Sequence, residues 1–197
     1  MASTLIKSTH KSLRHHSRTH LIDYPAIQDR PSPVHLRWMI QRDLPEVLAI
    51  DKESFEFPWS EEEYVRNLRA TLCIGMVAEE LQSDRIVGSM VYELHRHMIN
   101  ILRFAVSSTE RTKGIGAGMM KKLRSCLGPI QQRRVLLALP ESNISGLTYA
   151  ARQQFNTVAL IPGMYTETDD DACLLEYLHQ RKKQAVSPHN HTTSLAG

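Results

Sequence analysis

A glycine-rich stretch between a strand and a helix limits most strongly what this chain can fold into. Residues 103–127 read as an apolar strand, a polar turn with Gly114 and Gly116, and a helix with one apolar face. The start of a helix leaves about four backbone N–H groups without partners and carries a partial positive charge of roughly +0.5. Glycines let a ligand approach those N–H groups, and Arg111 and Lys113 add positive charge. The stretch therefore predicts a binding site for a phosphate group.

Two common phosphate-binding motifs do not fit this stretch. A P-loop ends in Gly-Lys followed by Ser or Thr, whereas Gly118 is followed by Met119. A dinucleotide-binding turn has a third glycine, where this chain has Met119, and an acidic residue about 20 residues on, which the next predicted strand lacks. The pattern that fits is Arg-x-x-Gly-x-Gly, which begins at Arg111. By itself, that pattern is equally compatible with a strand-to-helix turn that binds no ligand.

The composition predicts one folded domain with a polar segment at each end. A chain of 197 residues with 42% hydrophobic residues can bury one core. We expect a disordered basic leader over residues 1–33, a folded domain over 34–179 and a disordered tail over 180–197, because both ends are poor in apolar residues. The leader either contacts RNA or the ribosome through its basic residues or is a solvated segment without a function. Those basic residues include Lys7, Lys11, Arg14 and Arg18.

The cysteines and the hydropathy of the chain predict a cytoplasmic setting. Cys73, Cys126 and Cys173 lie in apolar contexts without the spacing of metal ligands, so we expect buried free thiols and no metal site. Free thiols are typical of a reducing compartment. The sequence has no run of about 18 apolar residues, and its N-terminus lacks the apolar segment of a secretory signal. We therefore expect a cytoplasmic protein without a membrane contact.

Hydrophobic periodicity and turn residues predict the element order β-α-α-β-β-β-α-β-α-β-β. The predicted strands are 35–40, 72–79, 85–95, 98–107, 134–139, 158–161 and 172–178, and the predicted helices are 44–54, 61–69, 114–127 and 144–154. Hairpin-connected strands followed by βαβ crossovers predict an α/β fold with a mixed sheet and helices packed on it.

Polar residues at the predicted helix starts are candidate caps. Asp43 is placed to cap the first helix, and Ser60 with Glu63 has the spacing of a capping box for the second. Either Ser142 or Asn143 is placed to cap the fourth. These residues predict where each helix begins.

Breaker residues and periodicity predict the remaining boundaries. The Gly-Pro pair at 128–129 is expected to end the third helix, and the Pro-Gly pair at 162–163 predicts a turn. Apolar residues recur every four positions from Ile115 to Leu127 and form the buried face of the third helix. The charged residues expected on its solvated face are Lys121, Lys122 and Arg124.

Taken together, several motifs resemble the GNAT acetyltransferases, and more narrowly the ribosomal-protein-alanine N-acetyltransferases (the RimI type). The resemblance covers about residues 35–178. It rests on Phe-Pro-Trp-Ser-Glu at 57–61, Phe-Ala-Val at 104–106, the 111–117 loop, Glu-Ser-Asn at 141–143, and Tyr165 with a later Asp-Ala at 171–172. It implies a splayed, mostly antiparallel seven-stranded sheet with about four helices, which holds acetyl-CoA between its central strands.

The resemblance also implies a set of cofactor-binding residues. The backbone of Phe104, Ala105 and Val106 would pair with the pantetheine arm of acetyl-CoA, and Asn143 would contact the cofactor. The pyrophosphate would be held by the loop that consists of Arg111, Thr112, Lys113, Gly114, Ile115, Gly116 and Ala117.

The chain departs from this family at the two positions that usually handle protons. Members of the RimI type carry a glutamate as general base where this chain has Ala138, and a tyrosine as general acid where it has Ala150. Seven residues at 100° each return to nearly the same helix face, so Asn143 and position 150 point together, whereas Tyr149 points roughly 100° away. We therefore expect Tyr149 to be a packing or surface residue. Tyr165, whose loop matches a tyrosine in the family, is our candidate for the acid or for an acceptor contact.

These features lead to one functional expectation with two alternatives. We expect an acetyl-CoA-dependent N-acetyltransferase that acts on a protein N-terminal α-amine by direct attack. An unperturbed α-amine has a pKa of about 7.7–8.0, so a useful fraction is neutral without a base. The alternatives are an acyl-CoA-binding regulatory module with little catalysis and an acetyltransferase that acts on another primary amine.

Overall fold

The computed structural model describes residues 34–127, 134–166 and 168–179. The predicted leader, the predicted tail and the Gly-Pro pair at 128–129 lie outside these residues. The described strands are β1 (Val34–Trp38), β2 (Cys73–Glu80), β3 (Ile86–Leu94), β4 (Met98–Val106), β5 (Arg134–Pro140), β6 (Asn156–Tyr165) and β7 (Asp170–Leu178). The described helices are α1 (Leu44–Ser54), α2 (Glu61–Leu68), α3 (Ile115–Ser125) and α4 (Ile144–Arg152), with short 3-10 turns at Gln41–Asp43 and Ser108–Glu110.

All seven described strands join one mixed sheet in the order β1-β2-β3-β4-β5-β7-β6. The β4–β5 pair is parallel, and every other neighbouring pair is antiparallel. The parallel pair arises because α3 carries the chain from the end of β4 back to the start of β5. The predicted fold class, a mostly antiparallel mixed sheet with four helices, is confirmed.

The sheet splays at its centre, between β4 and β5. The two strands pair only from Met98 opposite Arg134 to Ile101 opposite Leu137. A β-bulge at Leu102 interrupts the register of β4 with β3, where Arg103 lies opposite Val91. Bulges bend a strand and increase its twist. Beyond the bulge, residues 102–106 of β4 and 138–140 of β5 do not pair with each other, and we call the space between them the gap.

Two helix layers cover opposite faces of the sheet. On one face, α1 and α2 pack on β2, β3 and β4 through buried residues such as Val47, Tyr64, Val77 and Val91. On the other, α3 and α4 pack on alternate residues of the same strands and on the later strands. Alternation of side chains along each strand assigns neighbouring residues to the two layers. Both layers therefore pack on β4, the strand that forms one side of the gap.

Strand β6 is longer than predicted, and the expected turn at 162–163 is wrong. The strand runs ten residues to Tyr165, which lies opposite Asp170. The register shifts between Ile161 and Tyr165, and Gly163 has a φ of +60°. The N–H of Gly163 donates to the Asp171 carboxylate instead of joining the ladder, at 2.9 Å. The Pro-Gly pair therefore makes an irregularity inside the strand and does not end it.

Two further local predictions are wrong for reasons of packing. Asp43 precedes α1, yet its side chain makes no cap bond to that helix. It accepts instead from the N–H of Ile40 and from the Arg37 guanidinium. Arg124 is half-buried, because its guanidinium stacks 3.9 Å from the centre of the Tyr177 ring and donates to the Gln153 carbonyl. Helical periodicity alone does not show that an aromatic from β7 lies beside the polar face.

The cysteines differ in exposure. Cys173 is buried and Cys73 is half-buried, but Cys126 is exposed, so the prediction of a buried thiol is wrong for Cys126. In the ranges given above, no helix is long and apolar enough to cross a membrane. The same ranges contain no group of three or more His, Cys, Asp or Glu residues arranged to hold a metal ion.

Candidate functional site

The start of α3 presents free backbone N–H groups at the end of β4. Gly114 precedes the helix with a φ of +85°, a left-handed conformation that favours glycine. The first bond into the helix runs from the N–H of Gly118 to the Gly114 carbonyl, at 2.9 Å. The N–H groups of Ile115, Gly116 and Ala117 therefore lack partners within the helix. This geometry is suited to an anion, as the sequence predicts.

The two cations of the loop are held by the protein. The Arg111 guanidinium donates from Nε to the Val106 carbonyl and from Nη2 to the Ser54 hydroxyl, both at 3.0 Å. Lys113 Nζ lies 3.0 Å from a Glu110 carboxylate oxygen. Arg111 thus ties the loop to β4 and α1, and it contributes to the site chiefly by fixing the backbone.

Gly116 packs closely against an aromatic pair from β4 and α4. The rings of Phe104 and Tyr149 are 5.6 Å apart between centroids. A Cβ atom at Gly116 would lie 3.3 Å from both Phe104 Cζ and the Tyr149 hydroxyl. At Gly114 and Gly118, a Cβ would meet nothing within 4 Å. We call the loop at 111–117, which includes the start of α3, the cradle. Within it, Gly116 is the glycine at which a side chain is least tolerated for reasons of space.

Tyr149 is a packing residue, as its helix position predicts. Its hydroxyl is buried without a hydrogen-bond partner among the described residues, and burial raises the pKa of this phenol well above its usual range. Ala150 is fully buried in the core. Asn143 caps α4, because its Oδ1 accepts from the Gly146 N–H at 2.8 Å and from the Ser145 hydroxyl at 3.1 Å. The alternative cap, Ser142, instead donates to Asp170.

Tyr165 reaches the gap from β6. Its hydroxyl donates to the carbonyl of Ala138 on β5, at 3.2 Å. Burial raises the pKa of Tyr165 to about 12, against the opposing effect of the nearby Arg103 charge. The structure thus brings the candidate acid to the position where Ala138 stands, although the two residues are 27 apart in sequence.

A buried ion pair lies at the β4 edge of the gap, and sequence reasoning missed it. Asp51 on α1 is fully buried. Arg103 on β4 donates to both of its carboxylate oxygens, from Nε at 2.8 Å and from Nη2 at 2.7 Å. The Tyr64 hydroxyl and the Trp59 N–H also donate to Asp51, at 2.9 and 2.7 Å. These bonds satisfy a carboxylate whose burial alone would be strongly unfavourable.

The same ion pair anchors the loop between α1 and α2. The Arg103 guanidinium lies 3.6 Å above the Phe55 ring and donates to the Phe57 carbonyl at 2.8 Å. Phe57 itself is half exposed. A signal was present in the sequence, because Asp51 and Arg103 are charged residues at core positions of an amphipathic helix and an apolar strand, and such residues are rarely buried unless paired.

The candidate site consists of the gap and the groups that border it. Apart from the Val106 carbonyl, which accepts from Arg111, the β4 backbone that faces the gap can bond an extended chain that carries amide groups, as an exposed strand edge does. The α3 start can bind a phosphate at one end of the gap. Arg103 lies at the β4 edge of the gap, and Tyr165 reaches its β5 edge through the Ala138 carbonyl. The arrangement therefore suits a long, phosphate-bearing ligand and a second, polar ligand that meets it.

Comparison with known proteins gives a family and a set of similar folds. The sequence model described as "Acetyltransferase (GNAT) family" matches residues 44–144. No curated protein matches the sequence. Ribosomal-protein-S18-alanine N-acetyltransferase from Escherichia coli is similar in structure, with a TM-score of 0.66, 17% identity and coverage of 78% of this chain and 99% of that chain.

Two further solved structures are similar over most of the described domain. Ard1 from Thermoplasma volcanium has a TM-score of 0.68 and 20% identity, over 76% of this chain and 99% of that chain. NAA60 from Arabidopsis thaliana in complex with acetyl-CoA has a TM-score of 0.65 and 17% identity, over 74% of this chain and 99% of that chain. At these identities the likeness shows the shared fold.

Proposed function

The chain belongs to the acetyltransferase (GNAT) family, and from that premise we propose that it transfers an acetyl group from acetyl-CoA to the α-amine of a protein N-terminus. The observation that carries the proposal is the gap between β4 and β5, which has a free strand edge on one side and the start of α3 at its end. The similar structures include N-terminal acetyltransferases, and one of them is described with acetyl-CoA.

The residues around the gap fit acetyl-CoA. The pantetheine arm carries two amide groups, which can bond the backbone of Phe104, Ala105 and Val106 where β4 has no partner strand. The pyrophosphate would be held at the start of α3, where Gly114 leaves the approach open. Among the residues that the structure describes, no bond occupies the Asn143 amide NH₂, while its Oδ1 caps α4. When bound, acetyl-CoA supplies a thioester as the acetyl donor.

The proposed reaction is one direct transfer. The neutral amine of the acceptor attacks the thioester carbonyl carbon, a C–N bond forms and the C–S bond breaks. The amine loses one proton, and the departing thiolate takes up one proton to give the free thiol of CoA. Protein groups contribute chiefly by holding amine and thioester together, an effect that can supply several kcal/mol.

Tyr165 is our proposed proton donor or acceptor-binding residue at the gap. Its pKa of about 12 keeps the hydroxyl protonated at neutral pH, so it can donate a hydrogen bond. Alanines at 138 and 150 leave the usual base and acid positions of the RimI type without titratable groups. General acid–base catalysis contributes about 10²–10⁴ in rate, so we expect turnover to be slow for this family.

The test is release of free CoA from acetyl-CoA with a panel of N-terminal peptides from ribosomal proteins. We expect peptide-dependent release, with the acetyl group found on the α-amine by mass spectrometry. Release that never exceeds the peptide-free background across the panel would refute the proposal.

A second candidate is an acyl-CoA-binding module with little catalysis, which the alanines at 138 and 150 favour. Calorimetry would then show acetyl-CoA binding that survives Ala138→Glu, with no turnover of any amine. Robust turnover by the wild-type protein would exclude this candidate. Turnover of small primary amines but of no peptide would favour the third possibility, a small-molecule acetyltransferase.

We also propose a cytoplasmic location and a contact of the basic leader with the ribosome. Deletion of residues 1–33 should then reduce co-sedimentation with ribosomes, and the reduction should be larger at low salt than at high salt. Equal co-sedimentation of the full and truncated chains would count against the contact.

A further inference from the structure

Two half-buried arginines of this protein use their guanidinium groups differently. Arg37 on β1 binds Glu79 through Nε and Nη2, at 2.9 and 2.7 Å, and Asp43 through Nη1 and Nη2, at 2.7 and 2.9 Å. Both edges of this guanidinium thus carry a carboxylate. Arg103 has only one carboxylate, Asp51, on the edge formed by Nε and Nη2.

The other edge of Arg103 is only partly occupied, because its Nη2 also donates to the Phe57 carbonyl. Among the described residues, Nη1 of Arg103 has no hydrogen-bond partner. Two side-chain polar atoms of the described residues are fully buried without a partner, Arg124 Nε and the Tyr149 hydroxyl. Arg103 Nη1 also has no partner but is not fully buried, so solvent can reach it. The side chain as a whole is only 13% exposed. A ligand that reached Nη1 would therefore meet a fixed donor in a largely desolvated place.

Packing holds this donor in one position. Asp51 fixes one edge of the guanidinium, the Phe57 carbonyl accepts from Nη2, and the Phe55 ring lies 3.6 Å below it. An arginine with two of its nitrogens already bonded loses little further freedom when the third binds a ligand. The site is therefore preorganised.

Arg103 lies at the β4 edge of the gap on the face covered by α1, and we call this face the acceptor side. The Arg103 charge acts on the Tyr165 hydroxyl, which itself reaches Ala138 at the β5 edge. Glu63 on α2 is also within range of the Arg103 charge, but its carboxylate accepts from the N–H and the hydroxyl of Ser60. Of the carboxylates near Arg103, Asp51 and Glu63 are thus already bonded, and neither occupies Nη1.

We propose that the Nη1 donor of Arg103 binds a carboxylate of the acceptor, so that the preferred acceptors are N-termini with an acidic side chain in the first two positions. Arg103 is then a specificity-determining residue. The inference rests on the proposed function for the identity of the acceptor as a peptide N-terminus. A carboxylate oxygen at Nη1 would give Arg103 a second carboxylate partner, as Arg37 has in Asp43 and Glu79.

The experiment measures peptide binding to the full-length protein saturated with CoA, so that it does not depend on turnover. Fluorescence anisotropy compares labelled hexapeptides that differ only in Asp against Asn, at position one or at position two. A hydrogen bond to a charged group in such a place predicts at least about tenfold tighter binding of one Asp peptide than of its Asn partner. Arg103→Gln should bring the two affinities together.

Two further variants separate recognition from folding. Arg103→Gln leaves the Asp51 carboxylate buried without its cation, which could destabilise the fold. The double variant Asp51→Asn with Arg103→Gln also lacks the arginine but leaves no buried charge, so it tests whether the Asp preference is lost in a folded protein. Arg37→Gln changes the other arginine and should keep the Asp preference. Each variant is checked by thermal melting before binding is measured.

The outcomes distinguish this inference from the proposed function. Asp and Asn peptides that bind the wild type equally, or an Asp preference that persists in the folded double variant, would overturn the inference. An Arg103-dependent Asp preference without turnover of any peptide would uphold it and count against the proposed transfer reaction. Turnover of peptides without an acidic preference would support the proposed transfer reaction and overturn the inference about Arg103.

Discussion

At the start of α3 the candidate site consists of backbone, whereas on the α1 face it consists of side chains from distant elements. The cradle lies within residues 111–117, Arg111 ties it to Val106, and its N–H groups come from the start of α3. The acceptor side needs Asp51 on α1, Arg103 on β4 and Tyr165 on β6. A backbone site tolerates most side-chain changes, but a side-chain network fails when one member is lost. The two halves should therefore respond differently to substitution.

The largest expected effect is a loss of stability on substitution of Asp51, the buried carboxylate of the acceptor side. Asp51→Ala removes the carboxylate that satisfies Arg103, the Tyr64 hydroxyl and the Trp59 N–H. Breaking a buried pair by removing one partner costs about 3–5 kcal/mol, because the other charge is left uncompensated. We expect a loss of that size in the free energy of unfolding, measured by urea denaturation.

Glu53→Ala is the matched control, because Glu53 is an exposed acidic residue of the same helix that accepts from Ser108. It should cost less than about 1 kcal/mol. Equal losses for the two variants would contradict a structural role for the buried pair.

The next effect concerns acetyl-CoA binding by the backbone half of the site. Gly116→Glu places a side chain against Phe104 and Tyr149 and adds negative charge at the proposed phosphate site. We expect acetyl-CoA binding to weaken by at least about 100-fold, which corresponds to roughly 2.7 kcal/mol. Isothermal titration calorimetry measures the change.

Gly118→Glu adds the same charge to the same helix at a position where a Cβ meets nothing within 4 Å. It should weaken binding far less than Gly116→Glu does. If both variants bind acetyl-CoA as the wild type does, the α3 start is not the phosphate site.

The contrast between the halves also explains what the sequence could predict. The mixed sheet, the four helices, the Ser60 capping box and the Asn143 cap follow from local patterns, and the structure shows each of them. The cradle is equally local. Its glycines and the preceding strand lie within a few residues of one another, so their spacing already carries the geometry.

The acceptor side depends on which distant elements meet, and a single sequence contains little of that information. Asp51 and Arg103 are 52 residues apart, and the sequence around either residue does not predict that the two form an ion pair. The prediction that Arg124 lies on the solvated face of α3 is wrong for the same reason, because Tyr177 stacks on it from β7. The Leu102 bulge, which opens the gap, is a property of register between strands and has no local turn signal.

A moderate effect is expected at Tyr165, where the two halves meet. Tyr165→Phe removes the hydroxyl that donates to Ala138 and should lower kcat/KM for peptide acetylation by about tenfold, the loss expected for one hydrogen bond of roughly 1.4 kcal/mol. Acetyl-CoA affinity should stay within about twofold, because the cradle is unchanged. Tyr92→Phe, in the core under α3, makes the same substitution away from the gap and should leave kcat/KM unchanged.

The pH profile sharpens this prediction. The pKa of Tyr165 is raised to about 12, so its hydroxyl remains protonated from pH 7 to pH 10. The wild-type rate should therefore show no decline from Tyr165 ionisation in that range. A fall in kcat between pH 8 and 10 that Tyr165→Phe abolishes would mean that the phenol ionises there, against the burial seen in the structure.

The smallest effect is expected at the start of α2, which follows the loop held by the buried ion pair. Ser60 accepts from the Glu63 N–H at 3.2 Å, and its own N–H donates to the Glu63 carboxylate at 2.8 Å. Ser60→Ala should lower the free energy of unfolding by about 1 kcal/mol, the usual value for a lost N-cap. Glu62→Ala in the same turn, which has no cap bond, should cost less.

The pH dependence of the Ser60→Ala effect follows from Glu63. Hydrogen bonds from Ser60 hold the pKa of Glu63 below its usual value, so this contribution to stability is complete above the unfolded pKa and is lost as the pH falls through the folded one. Ser60→Ala removes the hydroxyl bond to Glu63 but keeps the backbone one, so the difference in stability between wild type and variant should be slightly larger at pH 7 than at pH 3. Because Trp59, next to Ser60, bonds Asp51, the substitution should weaken peptide binding slightly and leave acetyl-CoA binding unchanged. Equal weakening of both ligands would mean that the two halves of the site are coupled through α2, and would break the division between them.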